Sequence, residues 1–148
     1  MQIVWFSLHG INWSNLVGVL RLIVTENEIS FLIRGCLFKV YNTLGPGLLE
    51  SAYEAALSHE LEKAGLLVKT QVALPMVYDT IKVDVGYRLD ILVEGKVVIE
   101  IKSVENLHEV HHKQLLTYLR LANLKLGLLV NFCTTDISQS IFRKVNNL

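Results

Sequence analysis

Ile29, Leu32, Ile33, Cys36, Leu37, Val40 and Leu44 recur at helical spacing and predict one apolar stripe on an amphipathic helix. Thr25, with Glu28 three residues on, forms the capping box that starts it. The GPG at 45–47 stops this helix and opens another, LLESAYEAALSHELEKAG, which Gly65 ends. Strand-like runs follow: LLVKTQVALPMVY, then GYRLDILV, then VVIEIKSV, the last two joined by a tight turn at Gly95. Helical spacing returns in LHEVHHKQLLTYLRLA, residues 107–122. KLGLLVNF is apolar on both faces, as suits a buried strand in a parallel pairing. SIFRKV supplies a shorter closing strand. Strand 96–103, helix 107–122 and strand 125–132 together predict a right-handed crossover. The pattern is α/β: two N-terminal helices, a three-stranded meander, a crossover helix and returning strands in a mixed sheet.

Charges interrupt this pattern where the strands are most apolar. Glu100 and Lys102 lie two residues apart in VVIEIKSV, so alternation points both side chains the same way. Asp90 sits likewise in RLDILV, close to Glu100 across the short hairpin. Two carboxylates brought together repel, and burying them unpaired is costly. Either the Lys102 ammonium in a structural ion pair or a divalent cation held by carboxylate oxygens would relieve them. On the wheel of helix 107–122, Glu109, Lys113, Thr117 and Arg120 form the solvent face. Leu107, Leu115, Leu121 and Ala122 lie opposite, with His111, Gln114 and Tyr118 at the middle of the buried face. Those polar groups need partners, which Glu100 and Lys102 offer. Glu50 shares a helix face with Tyr53, Leu57 and Leu61, and Glu60 on that face is expected in a buried hydrogen bond or ion pair.

HEVHH at 108–112 matches the zinc-protease pattern HExxH, with His108 and His112 as ligands and Glu109 as base. It fails as a zinc site. No His or Glu follows residue 112, and the wheel turns Glu109 to solvent. His59 is expected at the surface or at the boundary of the core.

Composition bounds the rest. The chain of 148 residues is 51% hydrophobic and 19% charged, which suits one folded domain. Lys+Arg and Asp+Glu both number 14, against the basic excess of proteins that grip nucleic acid by phosphate neutralisation. Cys36 and Cys133 fit no metal spacing and read as buried free thiols in a reducing, cytoplasmic compartment. Residues 1–24 form an apolar extension outside the core, with the working domain at 25–148. Asn12, Ser14 and Asn15 interrupt the extension, so no stable membrane partner is expected. Whether the domain forms a homodimer is left open.

Asp90, nine residues, then EIK at 100–102 resembles the catalytic pattern of the PD-(D/E)xK nuclease superfamily. GLLESAY, from Gly47 through Glu50 to Tyr53, resembles the signature of its GxxExxY branch, a small bacterial and archaeal family. QLLTY, Gln114 to Tyr118, is similar to the QxxxY motif of the branch related to recombination exonucleases. The resemblance spans residues 25–146 and implies a PD-(D/E)xK nuclease-like core. It implies a metal-dependent hydrolase of phosphodiester bonds in DNA or RNA, with Asp90, Glu100 and Glu50 binding Mg2+, or Mn2+ in its place. Lys102 would serve the water, while Gln114, Tyr118, His111 and Arg88 support the site. The sequence departs from the family at Leu89, in place of Pro, and at Thr80, in a turn where Gly is expected. The alternative is a catalytically silent nuclease-like domain that binds protein or nucleic acid.

Overall fold

A computed structural model describes residues 24–148. The extension expected over 1–24 lies outside the described residues except for Val24. Helix α1 spans Glu26–Leu44 and starts at the predicted capping box: Glu28 N donates to Thr25 Oγ1 at 3.3 Å, and Thr25 N donates to Glu28 Oε2 at 2.8 Å. Gly45 and Gly47, at φ 65° and 104°, turn the chain into α2, Glu50–Lys63.

Strands β1 (Val68–Ala73), β4 (Arg88–Val93) and β5 (Val97–Lys102) form the antiparallel meander. The run LLVKTQVALPMVY is not one strand. It breaks at Leu74-Pro75, where proline lacks the N–H a ladder needs. Its end forms β2 (Met76–Tyr78), paired with β3 (Ile81–Val83) in a separate two-stranded hairpin. Thr80 lies in that hairpin's turn, where Gly is expected, and it is Asp79 beside it that takes positive φ, at 53°.

Helix α3, Glu109–Ala122, carries the chain from β5 to β6, Leu126–Asn131, which pairs parallel with β5. Every residue of β6 is buried, as its two-faced apolar pattern predicts. A 3-10 turn, Ile137–Gln139, leads to the edge strand β7, Ile141–Val145. The five-stranded sheet has the order β1-β4-β5-β6-β7.

The sheet separates two cores. Ile91, Val93, Val97, Ile99, Ile101, Leu128 and Val130 pack under α1 and α2 with Ile33, Leu37, Tyr53 and Leu57. Val98, Leu89 and Leu129 pack under α3 with Leu115, Tyr118 and Leu119. Gly127 lets α3 approach, since a Cβ there would stand 2.8 Å from Leu115 Cδ1. Among the described residues no helix is long and apolar enough to cross a membrane.

Of the smaller features expected from sequence, the Glu60 ion pair forms but is partly open to solvent rather than buried. Glu60 is ion-paired with Lys39 and, at 3.7 Å, with Lys63, and His59 is exposed. Both cysteines are free, but Cys133 is exposed because it lies in the loop after β6, contrary to the buried thiol expected.

Candidate active site

Three devices bring the charged residues to one end of the sheet. The first is the loop before α2. Tyr53 is fully buried and stacked on Phe132, with ring centroids 4.1 Å apart. Its hydroxyl donates to Gly45 O at 2.6 Å and accepts from Leu48 N at 3.1 Å. That fastens the glycine turn and sets Glu50 at the first position of α2, where the helix dipole favours a carboxylate. The second device ties this loop to the end of β5. Ser103 Oγ donates to Leu48 O at 2.7 Å, and Ser103 N donates to Glu50 Oε1 at 3.1 Å.

The third device is the parting of β4 from β5. Their paired register runs from Val93↔Val97 to Ile91↔Ile99 and stops there. The Ile101 amide donates instead to Asp90 Oδ2 at 2.8 Å, so a side-chain carboxylate continues where the ladder ends. Glu100 alternates with Ile99 and Ile101 and so shares the α3 face of the sheet with Val98. Asp90 opens with Glu50, Ser51, Glu54, Gln71 and Ile101 onto a cleft of about 340 Å³.

The electrostatics follow from this burial. Glu100 is 2% exposed, and Lys102 Nζ donates to its Oε1 at 3.0 Å, while Oε2 has no hydrogen-bond partner. Burial, reinforced by the charge of Asp90, pushes the Glu100 carboxyl up to about 7. Burial also raises Asp90, against the opposing pull of the Ile101 N–H and of Lys102. For Lys102 burial acts downward, but the charge and hydrogen bond of Glu100, then Asp90 and Glu50, outweigh it and keep the ammonium charged.

Hard oxygen donors with an unpartnered buried Oε2 are a donor set that fits a divalent cation. Among the described residues, however, no three His, Cys, Asp or Glu side chains are already gathered as a metal-binding group. Glu50 borders the cleft but is turned to Ser103 N, so it stands beside Asp90 rather than closing on Glu100.

The helical trio is arranged differently from the wheel's expectation. Tyr118 is buried against the sheet, and Gln114 Nε2 donates to its hydroxyl at 2.7 Å. Gln114 thus satisfies its own helix neighbour one turn on, and Glu100 Oε2 remains without a partner. His111 is committed to the start of α3, where its Nδ1 accepts from His108 N at 3.0 Å. Arg88 is exposed and donates through Nη1 to Gln71 O at 3.3 Å. Of the HExxH residues, Glu109 and His108 are exposed, and the His112 ring meets Phe142 edge-on at 5.1 Å.

Two cleft residues escape a reading of the sequence. Glu54 lies one turn after Glu50, a spacing that could have revealed it. Gln71 carries no such signal. Its Nε2 donates to Glu54 Oε2 at 2.6 Å. Burial raises the Glu54 carboxyl, with Gln71 pulling it down and the charge of Asp90 pushing it up.

Residues 27–144 match the PD-(D/E)XK nuclease superfamily, and the chain belongs to that superfamily. The mixed α/β sheet, with helices on both faces, is consistent with its nuclease-like fold. No curated protein and no solved structure matches the chain.

Proposed function

We propose that the protein is a Mg2+-dependent phosphodiesterase acting on nucleic acid, of the GxxExxY branch of its superfamily. The observation that carries this is Glu100 Oε2, buried without a partner beside Asp90 and Lys102 where β4 and β5 part. A buried carboxylate oxygen left open is costly in a purely structural ion pair, and a cation would satisfy it. Asp90 and Glu100 would hold the ion, with Glu50 available from the α2 terminus. A bound divalent cation polarises the phosphate and lowers the pKa of its water. Asp90 is held in place by the Ile101 amide and lines the cleft. Lys102 keeps its proton on Nζ, from which it can orient the water or offset charge on the phosphate. Tyr118 and Gln114 brace α3 against the strand that carries Glu100.

Zero formal net charge favours the second reading, a silent domain used for binding. One experiment separates the two: cleavage of single- and double-stranded DNA and RNA with Mg2+, Mn2+ or chelator, by wild type and Asp90→Ala. Metal-dependent cleavage lost in the folded variant supports the enzyme. A wild type that binds no divalent ion at millimolar concentration and cleaves nothing makes the domain a binding module.

A further inference from the structure

Five non-glycine residues have positive φ among the described residues. Asp79 and Glu94 lie in hairpin loops, Asn123 ends α3 and Asn147 is next to last in the chain, all places where such backbone is ordinary. Gln71 differs: it has φ 50° inside β1. The left-handed region costs any residue with a Cβ, and glycine would adopt it freely.

The consequence is visible on both strands. Val68 packs with the core under α1 and α2, yet Val72, four residues on, packs with the core under α3. A regular strand would put them on one face. Across the pair, Ile91 and Leu89 divide between the same two cores. The pleat therefore changes sides at Gln71 and Asp90, which the register places opposite each other between Thr70↔Ile91 and Val72↔Leu89. The Gln71 carbonyl is taken by Arg88 at 3.3 Å, and its amide reaches Glu54 at 2.6 Å on the wall of the cleft that holds Asp90.

We infer that Gln71 is a positioning residue of the proposed cation site, its strained backbone directing a neutral donor between the carboxylates of Glu54 and Asp90. Strained backbone persists where its surroundings require it, often at functional sites. Here glycine would give the same turn more cheaply, so the side chain accounts for glutamine. An N–H donor between two acids reduces their repulsion before a cation arrives and fixes Glu54 as a further carboxylate on that wall. The inference rests on the reading of Asp90 and Glu100 as cation ligands.

Calorimetric titration with Mn2+, paired with thermal unfolding in chelator, tests it on the full chain. Gln71→Gly should weaken Mn2+ binding about tenfold, as loss of an outer-shell partner does. Its Tm should be unchanged or higher, because strain is removed. Glu54→Ala should weaken binding similarly, and the double variant should lose no more than the larger single loss. Wild-type affinity in Gln71→Gly, additive losses in the double variant, or a lower Tm accompanying weak binding would each overturn the inference while leaving the cation site in place. A wild type that binds no Mn2+ would remove the site and the inference together.

Discussion

Lys102 Nζ stands 3.0 Å from Glu100 Oε1 and leaves Oε2 of the same carboxylate without a partner. A structural ion pair this deeply buried would be expected to satisfy both oxygens. The half-satisfied pair is what separates this site from a surface salt bridge such as Lys39–Glu60, which joins α1 to α2 and lies closer to solvent.

The pH dependence of stability should report Glu100. Its folded pKa, about 7, lies above the ordinary 4.5, so the fold favours the protonated form. An acid raised in this way gives stability that is full below about 4.5 and is lost as pH rises through about 7. Thermal unfolding in chelator from pH 4 to 8 should show this decline, and Glu100→Gln should flatten it. Asp90, raised in the same direction, keeps part of the slope. A variant with the wild-type slope would contradict the burial argument.

Lys102→Ala removes the partner of a buried carboxylate. The metal-free variant should lose stability near neutral pH, where Glu100 ionises, and lose less near pH 5. Mn2+ binding should persist or tighten as the competing cation is lost, while turnover falls by at least about a hundredfold. Single-turnover cleavage beside calorimetry checks the split. Parallel loss of binding and turnover would assign Lys102 to holding the ion.

Tyr53→Phe keeps the stack on Phe132 but removes both hydroxyl bonds to the glycine turn. The expected cost is about 1–2 kcal/mol in denaturant unfolding. Activity should fall further than stability alone explains, since the turn positions Glu50. An unchanged midpoint would mean that the loop is held by Ser103 alone.

Deletion of residues 1–23 should leave a cooperative thermal transition, because the capping box at Thr25 starts α1 locally. Val24 has to be retained: it packs on the core, and its carbonyl accepts from Lys96 Nζ at 2.7 Å. A broad transition in the truncated chain would show that the removed segment covers part of the core.

Much of the fold is legible in the sequence because it is local. The capping box, the helix-ending glycines, the alternation in β4 and β5 and the two-faced apolarity of β6 each depend on a few neighbouring residues. Asp90, Glu100 and Lys102 stand out for the same reason, as charges inside apolar runs. Pro75 also carries a local signal, since proline breaks the run between β1 and β2. What the tertiary structure alone decides is which of several possible partners each polar group takes. Gln114 bonds to Tyr118 instead of Glu100, and Glu50 turns to Ser103. Gln71 leaves the pleat to reach Glu54, and Asp90 meets the Ile101 amide where the ladder stops. Each of these choices sets a polar group between competing partners of similar strength. Packing of α2 and α3 on opposite faces of the sheet decides which partner is within reach.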